Sequence, residues 1–193
     1  VMDCDVTDHG CGGGLLDDAW KFLEKSGAVS EECDPYDFCA HPQSPTCETG
    51  PHPVRPVPSQ HACPTTCANS TTLSQQFRAS SAYAVGKPGD AAAIQRELMA
   101  HGPVQVGFQV FSDFMTYHSG TYFRTPSAQG PRGGHAVKII GWGVDETGIK
   151  YWKVRNSYGP AWGEKGNLRL RRGRNDFGCE SENIALDPIL TNQ

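Results

Sequence analysis

The cysteines are distributed very unevenly along this chain of 193 residues. Seven of the eight lie in the first 67 residues, and Cys179 stands alone near the C-terminal end. A cluster of this kind is typical of a disulfide framework formed in an oxidising compartment. Zinc is the alternative, because Cys63 and Cys67 have a tolerable ligand spacing, but no matching Cys or His pair follows at zinc-finger distance. The pattern therefore favours disulfides and predicts no metal site.

Hydrophobic periodicity predicts two helices. Residues 15–26 carry apolar side chains at helical spacing with one buried stripe, and Gly27 follows as a C-terminal stop. Asp90 is an N-cap residue for a second helix that ends at Gly102. Between the helices, residues 33–75 are rich in proline and cysteine and show almost no periodicity. That composition fits a long loop stapled by disulfides.

The second part of the chain is rich in strand-like runs. Residues 103–111 alternate apolar and polar side chains with a period of two. Further short runs, broken by Gly, Pro and Asp, suggest an antiparallel sheet or barrel. They span residues 122–124, 136–144, 150–155 and 167–171. The sequence thus predicts an α+β fold, with a helical, disulfide-rich part over residues 1–75, a β-rich part over 76–180 and a C-terminal segment over 181–193.

Charge and hydropathy exclude several classes of function. The formal net charge is −4, which suggests neither a nucleic-acid partner nor attachment to a membrane surface. No apolar run approaches the roughly 18–20 residues that a membrane-spanning helix needs. The chain begins with Val1 and shows no charged-then-apolar signal segment. We therefore expect a processed chain or a fragment.

One predicted hairpin brings a histidine and an asparagine together. Strands over residues 136–144 and 150–156 flank a turn at residues 145–148. His135 lies about 11 residues before the centre of the turn, and Asn156 lies about 10 residues after it. Residues equally distant from a hairpin turn lie across from each other. We therefore expect the imidazole of His135 near the carboxamide of Asn156.

A neutral amide beside a histidine has a direct chemical use. The amide oxygen accepts one ring N–H and fixes the tautomer, which leaves the other ring nitrogen free to face a thiol. An imidazolium beside a thiol lowers the thiol pKa and stabilises the nucleophilic thiolate. The alternative is that His135 is a packed strand histidine with a hydrogen-bonded neighbour, since most strand histidines are not catalytic.

The residues around this pair resemble the papain family of cysteine proteases. Residues 133–136 (Gly-Gly-His-Ala) look like the family's histidine motif, and residues 156–163 look like its asparagine motif. Asp-Cys at residues 3–4 and Gly-Cys-Gly-Gly-Gly at residues 10–14 resemble two further family segments, in the family's order. The resemblance implies a papain-like two-domain fold, with a helical left domain and an antiparallel β-barrel right domain. It also implies peptide hydrolysis without a cofactor.

Several stretches are similar to the cathepsin B-like branch of this family. They include residues 102–114, 141–143 and 180–182. Residues 33–36 resemble the Cys-x-Pro-Tyr segment that leads into the occluding loop of that branch. The resemblance leaves Cys11 and Cys179 without partners. It implies three disulfides, namely Cys4–Cys63, Cys33–Cys67 and Cys39–Cys47.

The largest departure from the family is an absence. The 193 residues contain no Gln-x-Gly-x-Cys-Gly-Ser-Cys-Trp segment, which supplies the family's nucleophile and an oxyanion-hole glutamine. We expect both groups upstream of Val1, on a missing N-terminal segment or a light chain, because Cys11 lacks a partner. The isolated chain is then inactive, since losing a nucleophile costs on the order of 10⁶ in rate. A catalytically inactive homologue is the alternative.

The family also shields its histidine–asparagine hydrogen bond from water with aromatic side chains. The resemblance assigns this role to Tyr158 and Trp162. The family usually has Trp at the position of Tyr158, and the smaller, more polar Tyr is expected to hold the pair less firmly.

The occluding-loop-like segment departs from cathepsin B as well. Cathepsin B has two adjacent histidines there, which hold the C-terminal carboxylate of the substrate and make it a carboxydipeptidase. Here Pro42 follows His41, and the span from Cys39 to Cys47 is shorter. We therefore expect endopeptidase action. His41 is either a carboxylate-binding or loop-latching residue or a simple exposed loop histidine, with a charge that depends on pH.

Positions that match the family's substrate contacts are small or acidic. Gly13 and Gly14 resemble the strand that hydrogen-bonds the substrate backbone, and they also fit a tight turn before the first helix. Gly134 and Ala136 would border the primed side and the second specificity pocket. Glu182 corresponds to a partly buried carboxylate at the bottom of that pocket, which would accept a P2 arginine. A solvated surface charge is the alternative for Glu182.

The resemblance further implies a secretory route and protein partners. Asn69 begins an N-glycosylation triplet, and the expected location is lysosomal, endosomal or extracellular. The expected partners are polypeptide substrates, the missing segment and cystatin-type inhibitors. Two other functions stay open, namely an inactive family member that binds peptides or proteins and a plain disulfide-stapled binding module.

Overall fold

The computed structural model describes residues 4–35, 63–68 and 77–190. Within these ranges the helices are α1 (Leu16–Lys25) and α2 (Ala91–Ala100). The strands are β1 (Phe77–Ala79), β2 (Tyr83–Ala84), β3 (Val104–Val110), β4 (Thr121–Tyr122), β5 (Gly133–Val144), β6 (Lys150–Arg155), β7 (Asn167–Arg171), β8 (Asn183–Ala185) and β9 (Pro188–Leu190). No helix in the described part of the chain is long and apolar enough to cross a membrane.

The chain divides into two compact units. The first comprises residues 1–82 and 186–193, and the second comprises residues 83–185. These units differ from the limits predicted at residues 75 and 180. The difference follows from strand pairing, because β8 pairs with β2 and β3 in the second unit, whereas β9 pairs with β1 in the first.

Two disulfides tie together the described segments of the first unit. Cys4 is bonded to Cys63, and Cys33 is bonded to Cys67. Both pairs are those that the family resemblance implies. The first closes a separation of 59 residues and the second one of 34 residues, so each restricts a long stretch of the unfolded chain.

Helix α1 begins where the sequence predicts, but it is less buried than expected. The backbone N–H of Leu15 donates to the carboxylate of Asp8 at 2.9 Å, which satisfies a free amide at the start of the helix. No residue of α1 is fully buried. The predicted stripe is therefore half-buried rather than fully buried, with intermediate exposure at Leu16, Ala19, Trp20 and Leu23.

The second unit is built on one sheet of seven strands in the order β2-β8-β3-β5-β6-β7-β4. Neighbouring strands are antiparallel except for β4 and β7, which are parallel. The α+β class is confirmed, but the predicted barrel is wrong over the described residues, where the sheet is open. Its edge strands β2 and β4 lie at opposite ends of the order and are two residues long, so they do not close it.

Alternating side chains of the central strands form the core of this unit. The predicted period of two in β3 is present, with its even-numbered apolar residues buried. Helix α2 packs on the same core through Ile94, and Asp90 caps it by accepting a hydrogen bond from the N–H of Ala93 at 2.8 Å. Several other core residues are 0% exposed, namely Phe114, Ile139, Trp152, Val154, Leu168 and Leu170. This core fixes the strands that carry the candidate site.

Candidate active site

His135 and Asn156 contact each other at the ends of neighbouring strands. Nε2 of the His135 ring lies 2.8 Å from the side-chain oxygen of Asn156. His135 lies on β5, and Asn156 directly follows β6 and is 7% exposed. The backbone N–H of Asn156 donates to the carbonyl oxygen of Gly166 at 3.0 Å. The backbone of Asn156 is therefore fixed by Gly166, and its side-chain oxygen contacts the ring.

The hairpin that joins the two residues contains a register shift. Lys138 lies opposite Arg155, but the pairing shifts by one residue between Ile139 and Gly141. Asn156 is therefore opposite a position two residues beyond His135 along β5, and the two side chains meet diagonally. The expected contact is present, but the two residues are not directly opposite each other. The pairing next to the turn joins Val144 to Lys150, so the hairpin is centred on residue 147, and His135 lies three residues farther from that centre than Asn156 does. The bulge brings Asn156 one residue closer to the level of His135.

The hydrogen bonds around Asn156 determine which nitrogen of the His135 ring carries a hydrogen. The backbone N–H of Ser157 also points to the side-chain oxygen of Asn156, at 2.8 Å, and an N–H can only donate. The shared atom is therefore the amide oxygen, and Nε2 of His135 must donate to it. Nδ1 has no hydrogen-bond partner among the described residues, and it is the nitrogen that can exchange a proton with a reacting group.

Aromatic side chains surround the ring of His135. Tyr158 stacks on it with 5.0 Å between ring centroids and 28° between planes. Phe108 and Phe114 meet it edge-on at 5.7 and 6.2 Å. Trp162 packs against Tyr158 at 5.4 Å rather than against His135. Burial raises the pKa of Tyr158, so its phenol stays neutral beside the ring, although 38% of the residue is exposed.

A carboxylate lies on the other face of the same strands. Gly107 is directly opposite Ala136, and side chains alternate along a strand, so this pair faces away from His135. A Cβ atom on Gly107 would lie 2.5 Å from Oε2 of Glu182. The carboxylate of Glu182 therefore occupies the space that a side chain at position 107 would fill, beside Ala136. Glu182 is exposed, whereas the sequence analysis expects partial burial.

Glu180 holds the segment that carries Glu182. Glu180 is 1% exposed, and its Oε1 accepts hydrogen bonds from Nε1 of Trp152 at 2.9 Å and from the N–H of Gly173 at 2.6 Å. Its backbone oxygen accepts from the N–H of Gly89 at 2.7 Å. A buried carboxylate requires such donors. These bonds fix the segment against the central strand β6.

Comparison with known proteins assigns the chain to a family. The family described as "Papain family cysteine protease" matches residues 1–187. The chain belongs to the papain family. It is 40% identical over 184 residues to "Cathepsin B-like CP3" of Giardia intestinalis, which covers 95% of this chain and 55% of that protein. It is also 39% identical over 202 residues to "Tubulointerstitial nephritis antigen-like" of Mus musculus, covering 96% of this chain and 42% of that protein.

A solved structure agrees with this assignment. Procathepsin B S9 from Trypanosoma congolense matches with a TM-score of 0.78 and 30% identity, over 97% of this chain and 58% of that one. The papain-like fold and the cathepsin B-like resemblance are therefore confirmed. The chain spans about half the length of the curated relatives that it matches.

The nucleophile of a papain-family enzyme is a cysteine, and Cys179 does not fit that role. Cys179 is the free cysteine among the described side chains and is 1% exposed. Burial raises the pKa of its thiol to about 12, so the reactive thiolate is scarce at neutral pH. No described cysteine is thus available to face Nδ1 of His135.

The remaining predicted site residues belong to the first unit, precede His135 on β5 or fall outside the described chain. Gly13 and Gly14 are exposed residues of the first unit, ahead of α1. Gly13 has φ +96°, and a Cβ atom on Gly14 would collide with the side chain of Asp8, so the local turn requires glycine at both. Gly134 is exposed and precedes His135, with open space beside it. His41, the Cys39–Cys47 pair and Asn69 lie outside the described residues.

Sequence reasoning missed two residues of the site, Gly107 and Phe114. A signal for Gly107 was present, because it interrupts the polar positions Gln105 and Gln109 of an alternating strand, and glycine there often marks a close approach. Phe114 gave no such signal. Its role depends on the tertiary contact with the His135 ring, which no local pattern encodes.

Proposed function

We propose that this chain is the histidine- and asparagine-bearing part of a cysteine peptidase, which cleaves peptide bonds with a cysteine supplied from outside the described residues. The hydrogen bond from Nε2 of His135 to Asn156 carries the proposal, because it leaves Nδ1 unpartnered. A neutral partner suits this chemistry. An aspartate would draw the proton to its own side of the ring and weaken the thiolate–imidazolium pair.

The proposed reaction has two halves. In the first, the cysteine thiolate attacks the peptide carbonyl carbon, and protonated Nδ1 of His135 gives its proton to the leaving amine as the C–N bond breaks. In the second, a water molecule loses a proton to Nδ1 and attacks the thioester, and the C–S bond breaks to restore the thiolate. Throughout both halves, Nε2 keeps its hydrogen bond to Asn156, which holds the ring in place.

We propose endopeptidase rather than carboxydipeptidase action. Two adjacent histidines bind the C-terminal carboxylate of the substrate in cathepsin B, and this chain has His41 followed by Pro42. Proline carries neither a charge nor a hydrogen-bond donor for a carboxylate. Two substrates test this proposal: an internally quenched peptide that reports cleavage in its interior, and the same peptide with a free C-terminus, from which a dipeptide can be removed. The rates of cleavage of the two substrates are compared. Preferred removal of the dipeptide would contradict it.

Labelling with a thiol-directed epoxide tests the proposed function itself. The full natural protein, activated and folded, should take up one label on a cysteine outside these 193 residues, because only a thiolate next to the Nδ1 of His135 reacts rapidly. Peptide mapping by mass spectrometry locates the label. Absence of labelling, or a label on Cys179, would overturn the proposal.

A second candidate function is binding of peptides or proteins without catalysis. One observation favours it. A similar relative is named "Tubulointerstitial nephritis antigen-like" and not as a protease. The upstream coding sequence separates the candidates, since Ser, Gly or Ala at the nucleophile position supports the inactive homologue and Cys supports the peptidase.

Glu182 is proposed to favour a basic P2 residue, because its carboxylate lies beside Ala136 over Gly107. Glu182→Gln keeps the shape and removes the charge. We expect kcat/KM for a P2-arginine substrate to fall about tenfold, as for loss of one exposed charged hydrogen bond. A P2-phenylalanine substrate should change less than about twofold.

Glu146→Gln is the matched control for this substitution. Glu146 is a glutamate of the same unit with an 80% exposed side chain, and it should alter neither substrate. Equal losses for both substrates in Glu182→Gln would show that the carboxylate does not select the P2 residue.

We also propose that the protein follows the secretory pathway to a lysosomal, endosomal or extracellular location. The two disulfides support this route, because such bonds persist in oxidising compartments. Glycosylation at Asn69 and inhibition by cystatin-type proteins belong to the same proposal. A mobility shift after treatment with an N-glycosidase tests the first of these.

A further inference from the structure

One asparagine side chain closes the segment that carries Glu182. The side-chain oxygen of Asn175 accepts a hydrogen bond from the backbone N–H of Glu180 at 2.9 Å, and its Nδ2 donates to the hydroxyl oxygen of Ser181 at 2.6 Å. These two side-chain bonds are here called the Asn175 bridge. The backbone oxygen of Asn175 also accepts from the N–H of Gly178 at 3.1 Å. Asn175 therefore bonds to three residues of the stretch that leads into Glu182.

The backbone of Asn175 adopts a conformation that favours a small set of residues. Its φ is 49°, and Lys165, with a φ of 55°, is the other non-glycine residue with a positive φ in the described chain. Asparagine, aspartate and glycine enter this left-handed region at the least cost. Glycine has no side chain for the bridge, whereas asparagine supplies both the conformation and the two bonds.

The main chain of Glu182 is bonded on both sides of its Cα atom. Its N–H donates to the oxygen of Gly178 at 3.2 Å, and its own backbone oxygen accepts from the N–H of Gly107 at 2.9 Å. Gly178 is itself bonded to Asn175. A continuous path of hydrogen bonds therefore runs from Asn175 to the residue whose carboxylate lies over Gly107.

The Glu182 carboxylate depends on this path for its position. Glu182 is exposed, and no described residue forms a hydrogen bond or an ion pair with its side chain. The main chain therefore decides from where the side chain extends, and the absent side chain of Gly107 leaves the space that receives it. A displacement of about 1 Å in a recognition group is enough to weaken its contact with a substrate.

Glu180 and Asn175 hold this segment in different ways. The buried carboxylate of Glu180 bonds to Trp152 and Gly173, and it attaches the segment to the core of the unit. The Asn175 bridge instead lies near the surface, where it connects a half-buried residue to the exposed Ser181 and closes one turn. Loss of the bridge should therefore loosen the turn without unfolding the core.

We propose that Asn175 is a positioning residue for the choice of the P2 side chain, which acts by fixing the Glu182 carboxylate through the Asn175 bridge. This inference rests on the proposed role of Glu182 in favouring a basic P2 residue. Without the bridge, the carboxylate takes a wider range of positions and meets a P2 arginine less often. Cleavage itself depends on His135, so the preference for arginine decreases while the activity remains.

Asn175→Gly in the full natural protein tests the proposal, because glycine keeps the positive φ and removes the bridge. The measured quantity is the P2 ratio, which is kcat/KM for a P2-arginine substrate divided by kcat/KM for a P2-phenylalanine substrate. We expect this ratio to fall about threefold, the scale for a weakened exposed charge contact. The fall should come from a higher KM for the arginine substrate, and kcat for the phenylalanine substrate should change less than about 1.5-fold.

Two further variants accompany Asn175→Gly. Ser181→Ala removes only the 2.6 Å bond and should lower the P2 ratio about twofold. Lys165→Gly is the matched control, because it makes the same kind of backbone change at an exposed position whose φ is 55°. It should leave the P2 ratio unchanged.

The Glu182→Gln background separates positioning from a general loss of structure. If Asn175 acts through the charge of Glu182, then Asn175→Gly added to Glu182→Gln should change the P2 ratio less than about 1.3-fold, because residues that act through one contact are not additive. A merely structural role of Asn175 predicts that the same fall recurs in this background. That result would overturn the proposal.

Other outcomes separate this proposal from the proposed role of Glu182. An unchanged P2 ratio in Asn175→Gly, together with a lower ratio in Glu182→Gln, would overturn the positioning role alone. An unchanged ratio in Glu182→Gln would overturn both. Ser181→Ala decides the case if Asn175→Gly does not fold, because an unchanged ratio in that variant contradicts the role of the bridge.

Discussion

His135→Ala in the full natural protein is expected to lower kcat by about 10⁶-fold, the scale of loss when a catalytic base is removed from a comparable nucleophile–histidine system. Nδ1 of His135 both stabilises the thiolate and carries the proton between the leaving amine and water. Without the ring the thiol stays protonated, and no group in the described part of the site replaces it. Steady-state assays with a fluorogenic peptide measure the loss.

Asn156→Ala and His101→Ala complete this experiment. Asn156→Ala leaves the ring but frees its orientation, so we expect a smaller loss, about 10²- to 10⁴-fold. His101 lies at the end of α2 with a half-exposed side chain that contacts Glu97, and its removal should leave the rate unchanged. A His135→Ala enzyme that keeps more than about a hundredth of the original kcat would contradict the assigned role.

Phe114→Ala is expected to lower the free energy of unfolding by about 3–5 kcal/mol, as for other large-to-small changes of a fully buried phenylalanine. Phe114 is 0% exposed. The centroid of its ring lies 5.2 Å from that of Phe108, 5.5 Å from that of Tyr122 and 5.0 Å from that of Trp162. Equilibrium unfolding in urea measures the change, provided that the unfolding free energy depends on urea concentration with the same slope in the variant and the unmodified protein.

Phe114→Leu separates the loss of volume from the loss of the aromatic edge. Leucine fills most of the space, so we expect a smaller loss, about 1–2 kcal/mol. Met115→Ala is the external control, since Met115 is 58% exposed next to Phe114 and should change stability by less than about 0.5 kcal/mol. A loss below about 1 kcal/mol for Phe114→Ala would mean that the cluster relaxes around the cavity.

Much of the second unit could be predicted from the sequence because its strands have clear boundaries. β6 and β7 begin and end at the predicted residues, since turn-forming residues flank alternating runs. Asp90 supplied an N-cap signal, and the structure uses it. Strands β1, β2, β8 and β9 were not predicted. Each has only two or three residues, too few to show a period of two, and each exists because a distant strand pairs with it.

The candidate site was predictable to a similar degree. Flanking motifs pointed to His135 and Asn156, but the sequence analysis did not predict the bulge between Ile139 and Gly141, which changes the register of β5 against β6 by one residue. The place of the Glu182 carboxylate could not be foreseen either. It depends on the absence of a side chain at Gly107, whose strand lies about 75 residues earlier in the chain. Such details arise from tertiary packing and leave little trace in local patterns.

The pairing of Tyr83 with Ala185 has a consequence for protein engineering. These are the first and last residues of the second unit, and they are direct partners across β2 and β8. Their Cα atoms therefore lie about 5 Å apart. Ala79 and Pro188, which precede and follow the unit in the chain, are also direct partners. Residues 83–185 thus have the connectivity of an inserted cassette, whose neighbouring ends could be joined by a short linker or grafted into a surface loop of another scaffold.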